Sequence, residues 1–440
     1  MVSFLVLLLT SCDSFLDIQP VGKVIPTTAE EYRALLAKAY KAVPNDRGFI
    51  GFRSDEMQVI NEEYSQNKYG DLEIWNDASS KTSFARTDWK NYYHVLFIVN
   101  QIIENRDKIE SKSKAEVDQL IGESFLLRAY MHFLLVNLHG EPYTKEGAKA
   151  TKAIPIVLDT DTEKERKRNS VEECYTAILK DIETAKQLLN VEKWDNSFSY
   201  RFTPAAAEAL SARVHLYMGD WEKSSLSAKE VLKQSYKLED LNGEAPLLPN
   251  HYTSTENITA IELVFPSDVK NATVIPLSFI KKYKEGDKRK ELFFTKEENK
   301  EGSEVKYKPN KGGTNHYTTT FRLAEVLLTA AEAEAQLNKL AEAKEFLLQL
   351  AIKRYSSAAY NALANELEGM NQKELLNFIL DERARELVNE GHRWFDLRRT
   401  KRPEIVKNLK GEVHTLKQDD PRYTIPIPPE AIHANPNLAN

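Results

Sequence analysis

Asp381-Glu-Arg-Ala-Arg-Glu-Leu-Val-Asn-Glu-Gly-His-Arg-Trp-Phe-Asp-Leu-Arg-Arg399 is the stretch of this 440-residue chain that decides its fold. Glu382, Glu386 and Glu390 recur at every fourth residue, which places three carboxylates as one stripe on a helix. Gly391 then stands where a helix ends in a left-handed residue, the C′ position that glycine fills without steric cost. Arg393 and Asp396 lie three apart on the next short helix, close enough to pair, and Arg383 adds a cation to the first. The pattern is a charged elbow. Spaced in this way, the charges suit an ionic network that locks two helices at a fixed angle, and the elbow reads as structure.

Outward from the elbow, the sequence keeps a helical period. Arg322–Arg354 reads as a helix pair with Ala331 on its first helix, a turn at Asn338-Lys339 and Ala343 opening the second. Thr203-Pro204 gives an N-cap with proline at the first helical position. That helix carries Ala212 and breaks at Gly219-Asp220-Trp221, after which a second helix runs from Glu222 to about Gln234. Both pairs resemble tetratricopeptide units, whose small residues let helices approach closely. Earlier, Thr28-Ala-Glu-Glu31 and Ser170-Val-Glu-Glu173 are capping boxes, opening helices to about Val43 and Leu189. Helical patterns also cover Asp88–Ile109 and Lys114–Leu138, the latter ending at Gly140 with Pro142 beyond. The expected fold is mostly α: tetratricopeptide-like helical pairs forming a right-handed scaffold, with irregular loop-rich insertions and few short strands.

Three segments leave this grammar. Pro44–Arg86 mixes Gly48, Gly51 and Gly70 with aromatic and polar residues and has no period; a long irregular stretch of this kind is commonly functional. Ile258–Phe265 alternates like a short strand, and Lys281–Asn315 reads as a charged surface loop. The tail Tyr423-Thr-Ile-Pro-Ile-Pro-Pro429 must lie extended, because its prolines lack amide donors.

A net charge of −6 gives no electrostatic case for nucleic acid, and acidic residues interrupt or flank the basic clusters at 164–168, 281–290 and 398–402. The chain has no HExxH, paired CxxC, P-loop or GxSxG motif. His132 and His139 are seven apart, two turns along one helix and too distant to share a metal without other ligands. No catalytic residue, metal or cofactor is expected, and the protein reads as a binder and not an enzyme. Sugars are held by aromatic faces against their C–H surface and by planar polar groups at their hydroxyls. Within Pro44–Arg86, Tyr64, Tyr69 and Trp75 supply such faces, and Arg53, Asp55, Asn76 and Asp77 the polar partners.

At the N-terminus, the apolar run Phe4–Leu9 leads into Leu9-Thr10-Ser11-Cys12, which resembles a bacterial lipobox. The run is too short to span a bilayer, so attachment is expected through acyl chains on Cys12, with Asp13–Pro26 as a tether. Cys174 is then left without a partner, and no disulfide is expected.

The elbow also resembles the signature of the SusD/RagB family at Glu382, Arg383, Glu386, Leu387, Glu390, Gly391, Arg393, Asp396, Leu397 and Arg398. Ile425-Pro426-Ile-Pro428 and Asn435-Pro436-Asn437-Leu438 are similar to the family's ending, and Gly122–Ala129 and Cys12–Asp17 match its earlier parts. The resemblance implies an outer-membrane, cell-surface lipoprotein that captures oligosaccharide or polysaccharide nutrients. By the same resemblance its partner is a SusC-like TonB-dependent transporter, over which it acts as a hinged lid with its helical-repeat side packed on the barrel. It divides the chain into a signal peptide (1–12), an N-terminal SusD-like region (13–255) holding the ligand loops (44–86), and a C-terminal RagB/SusD region (256–440). In starch-binding relatives, ligand aromatics also fall in the insertion before the final helices, where this chain offers Tyr283, Phe293 and Tyr307. A RagB-like peptide binder of the same architecture and a tetratricopeptide adaptor for proteins are the alternative readings.

Overall fold

The computed structural model describes residues 26–298 and 305–439; the lipobox, Cys12 and the tether up to residue 25 lie outside the described residues. Helix takes 53% of the described residues and strand 9%, so the strands serve only as short clips on a helical stack. The first helices are α1 (Ala29–Lys41), α2 (Trp89–Glu104), α3 (Lys114–His139) and α4 (Val171–Leu188). They continue as α5 (Pro204–Met218), α6 (Trp221–Leu232), α7 (Leu323–Gln336) and α8 (Leu340–Ala351). The stack ends with α9 (Ser357–Glu368), α10 (Gln372–Glu386) and α11 (Arg393–Arg399).

Local chemistry starts them. Thr28, Ser170 and Asn371 each form a complete capping box, satisfying amides that a helix's first turn leaves without partners. Thr203 accepts from Ala206 N with Pro204 behind it, and Gly219 ends α5 in the left-handed region at φ +74°. Each helix from α1 to α8 packs on the next, and α6 packs directly on α7 although the whole 233–322 insertion separates them in sequence. Ala212, Ala331 and Ala343 are buried at these contacts, where a larger side chain would hold the helices apart. Ile258, Phe321 and Trp394 share one core with Leu36, Val99 and Leu126, so packing crosses the sequence division at 255/256.

Among the described residues four antiparallel strand pairs trim the insertions: β1 (Gln58–Val59) with β3 (Thr273–Val274), and β2 (Asn257–Thr259) with β6 (Phe321–Arg322). Next come β4 (Phe294–Glu298) with β5 (Val305–Pro309), and β7 (Ile405–Leu409) with β8 (Glu412–Leu416). The segment 281–315 is therefore not a plain surface loop. It holds a hairpin, and Arg289 and Lys311 are buried in it because each meets buried carboxylates.

The elbow departs from the sequence reading in two ways. α10 stops at Glu386, and the turn that follows takes left-handed residues at both Asn389 (φ +61°) and Gly391 (φ +71°). A Cβ at Gly391 would stand 2.6 Å from the Arg47 Cβ, so the irregular segment 44–86 lies against this glycine. Arg393 does not pair with Asp396. It forks onto Asp55 at 2.6 and 2.8 Å, while Asp396 takes Arg399 at 2.8 Å and Arg383 at 3.1 Å. Glu390 lies beyond the end of α10, and the three carboxylates together form an ionic lock. Glu386 accepts from Arg289, Arg322 and Arg354, Glu382 from Arg289 and Arg385, and Glu390 from Arg322 and Lys311.

Candidate ligand-binding face

The irregular segment 44–86 carries its own small core: Phe52, Met57, Val59, Tyr69, Leu72 and Phe84, closed by Phe265 and Val269. Long-range charges pin it to the scaffold. Arg47 forks onto Glu262 at 3.0 and 2.9 Å and donates to Glu390 O. Arg53 donates to Asp77 at 2.5 and 3.2 Å and to Arg422 O at 2.6 Å. Lys407 of β7 reaches beneath the loop to donate to Phe52 O and Met57 O, and burial lowers its ammonium to about 8. A buried cation caged by carbonyls holds an irregular backbone in one shape.

This core consumes the aromatics that the sequence offers as ligand platforms. Trp75 is 1% exposed, takes a left-handed backbone (φ +59°), and its Nε1 donates to Arg53 O at 2.9 Å. Tyr69 is buried with its ring stacked on Phe52 and its hydroxyl donating to Asp268. Tyr283 and Phe293 are buried in a separate cluster, where the Tyr283 hydroxyl donates to Arg385 O. Arg53 is fully buried and Asp55 is taken by Arg393. Inward-facing rings with satisfied polar tips cannot stack on a ligand, and their role in this structure is to hold the loops. Tyr64, at 65% exposure, and the exposed Asn76 remain on the surface. Tyr307 is half-buried, its ring packed toward the Tyr283 cluster.

The two segments that carried these residues nevertheless meet. A cleft of about 540 Å³ opens between Gln58 to Gln66 of the first segment, Lys306 and Lys308 of β5, and Asn408 to Lys410 of the β7–β8 turn. Strand alternation explains the lining: Lys306 and Lys308 face the cleft, and Tyr307 between them turns to the opposite side. At its floor, Glu73 accepts from Val59 N at 3.0 Å, and burial raises its carboxyl. Gln58, Asn61 and Asn408 add planar amides at the walls. Asn408 and Lys410 went unread in the sequence, although Lys410-Gly411, both left-handed (φ +53° and +89°), is a hairpin-turn signal. His132 and His139 are buried apart from each other. Val157 N donates to His132, His139 contacts Ile425 O at 3.0 Å, and desolvation lowers both rings, to about 3 and about 4. The Cys174 thiol is buried and pushed up to about 12. Among the described residues no helix is long and apolar enough to cross a membrane.

A stack of helical hairpins that presents loops and short hairpins around a polar cleft defines a binding scaffold. Family profiles agree with that class: one described as "Starch-binding associating with outer membrane" matches residues 14–216, and one described as "SusD family" matches residues 279–440. The chain belongs to the SusD/RagB family. It is 26% identical to the SusD-like protein P38 of Formosa agariphila, covering 95% of this chain and 94% of that one. It shares its fold with a SusD superfamily protein of Bacteroides thetaiotaomicron (TM-score 0.79, 21% identity, 93% of this chain and 99% of the other). A SusD-like carbohydrate binding protein of Bacteroides vulgatus is also similar (TM-score 0.70, 18% identity, 93% and 97% covered).

Proposed function

We propose that this protein is a cell-surface lipoprotein that holds oligosaccharide or polysaccharide nutrients in the polar cleft and passes them to a TonB-dependent transporter. It leaves the ligand chemically unchanged. Acyl chains on Cys12 anchor it to the outer membrane, and a SusC-like barrel is its partner. The observation that carries the reading is the convergence of the two loop segments on one cleft. There Gln58, Asn61 and Asn408 offer amide pairs of donor and acceptor, the complement of sugar hydroxyls. Family membership and the carbohydrate-binding neighbour support the same reading. A peptide cargo is the second reading, and one observation favours it: among the described residues that line the cleft, none is aromatic.

Affinity electrophoresis of the full chain on a panel of polysaccharides, beside calorimetry with mixed tetrapeptides, separates the two. Retardation by a glycan that Asn408→Ala and Lys308→Ala each weaken, by roughly 2- to 10-fold for a lost hydrogen bond, supports glycan capture in this cleft. Peptide binding without glycan binding reverses the choice of cargo, and glycan binding indifferent to both variants moves the site elsewhere.

A further inference from the structure

Where α4 gives way to α5 and the chain leaves α6, a second concavity of about 560 Å³ shares no residue with the cleft. Its distinctive group is Arg201. The guanidinium lies 4.1 Å from the ring centre of Phe198, 4.9 Å from Trp194 and 5.8 Å from Tyr200. Trp194 is itself fixed, its Nε1 donating to Phe202 O at 3.1 Å. The rings steady the guanidinium but use none of its N–H donors. Among the described residues Arg201 has no ion pair and no side-chain hydrogen bond. An arginine fork held in place and left unpaired is matched to a planar oxyanion, which it binds through two parallel bonds.

The surroundings say what the anion is attached to. Lys193 and Lys237 add positive charge against a single lining carboxylate, Glu192, and none of the three is ion-paired among the described residues. Asn257 also lines the pocket. Its Nδ2 donates to Tyr252 O at 3.0 Å, and its Oδ1 is buried without a partner. That oxygen requires a donor, which a carboxylate cannot supply and a hydroxyl can. The half-buried rings of Tyr236 and Tyr252 offer apolar surface in the same concavity. Oxyanion fork, hydroxyl acceptor and ring faces together fit one chemical class.

We propose that this pocket binds the acidic residue of a saccharide, a uronate or similar carboxylated sugar. The inference deepens the glycan reading above and rests on it for the class of cargo. It is tested by calorimetry on the full chain with tetragalacturonate, tetramannuronate and the methyl ester of tetragalacturonate, which keeps the sugar and removes the charge. At least one acid oligomer binds, and the ester of tetragalacturonate binds more weakly than its acid or not at all. Arg201→Gln lowers the acid affinity about 10- to 100-fold, the worth of a charge-assisted bidentate contact. Arg201→Lys, which keeps charge but loses the fork, falls between, and Asn257→Asp weakens binding by placing a like charge at the wall. The proposal is overturned if neither acid binds, if Arg201→Gln and Asn257→Asp both bind as the parent does, or if tetraglutamate binds as tightly as the saccharides. Neutral glycans held at the cleft while acids are ignored would sink this inference alone. Failure of every glycan would sink the proposed function with it.

Discussion

Glu386→Gln keeps the shape of its side chain and removes one charge from the driest part of the molecule. In the elbow, Arg289, Arg322, Arg354, Arg385 and Lys311 face Asp287, Glu256, Glu382, Glu386 and Glu390, five cations against five anions. Glu386 alone meets three guanidiniums, at 3.0 Å to Arg289, 2.8 Å to Arg322 and 2.9 Å to Arg354. Those three hold its carboxyl well below its ordinary value despite full burial. Neutralising it leaves a cation without its counterpart, and breaking such a buried pair costs about 3–5 kcal/mol. Breaking the exposed Lys114–Asp118 pair with Asp118→Asn should cost about 1 kcal/mol or less. Urea unfolding followed by helical circular dichroism reads both. Acid gives a second check. A depressed carboxyl contributes stability that is complete above its unfolded value, near 4.5, and is lost as pH falls through the folded one. The gap between the parent and Glu386→Gln should therefore hold steady from neutral pH down to that value and narrow only below it. A gap no larger than that of Asp118→Asn would refute the ionic lock.

Trp75→Ala should destabilise by about 3–5 kcal/mol, as buried aromatic truncations do, while Tyr64→Ala stays within about 0.5 kcal/mol; thermal melts of both decide whether the Trp75 ring is core. Gly391→Ala must force a left-handed backbone onto a side chain that meets Arg47, and should cost about 1–3 kcal/mol in the same melts. His139 is held neutral, its value lowered from 6.5 to about 4 by burial. Its unfolded form takes up a proton first, so stability falls as pH drops from 6.5 toward 4, by roughly 3 kcal/mol from this residue. A pH series of urea midpoints should show a shallower acid slope for His139→Asn than for the parent.

What the sequence disclosed was what neighbours within a few residues decide. The boxes at Thr28 and Ser170 and the Thr203-Pro204 start are complete within one helical turn, and the helices begin there. The Glu382, Glu386 and Glu390 stripe was legible for the same reason. Its partners were not, because Glu382 finds Arg289 across 93 residues and Glu390 finds Arg322 across 68, just as Arg393 finds Asp55 across 338. Arg289 and Lys311 looked solvated since nothing nearby in sequence announces the carboxylates that bury them. The aromatics show the limit most sharply. Trp75 and Tyr64 look equally available in a polar loop, and only the docking of Phe265 and Val269 onto that loop sends one inward. The cleft-facing Lys306 and Lys308 were within reach of a period-of-two reading, which would have turned Tyr307 away from the site.

The tail also ties together parts of the chain that are far apart in sequence. Ile425 N donates to Leu138 O, Arg398 donates to Tyr423 O, and Arg53 donates to Arg422 O. Residues 422–425 thus complete hydrogen bonds with groups 25 to 369 residues earlier, as donor at Ile425 and as acceptor at Arg422 and Tyr423. Removing the residues beyond 420 takes Arg422 O from Arg53 and Tyr423 O from Arg398, each loss costing about 1–3 kcal/mol, while Asp77 and Gly140 O still hold the two guanidiniums. The proline-rich segment is therefore a strap across the fold, joining the loop at Arg53, the end of the helix at Leu138 and the elbow at Arg398.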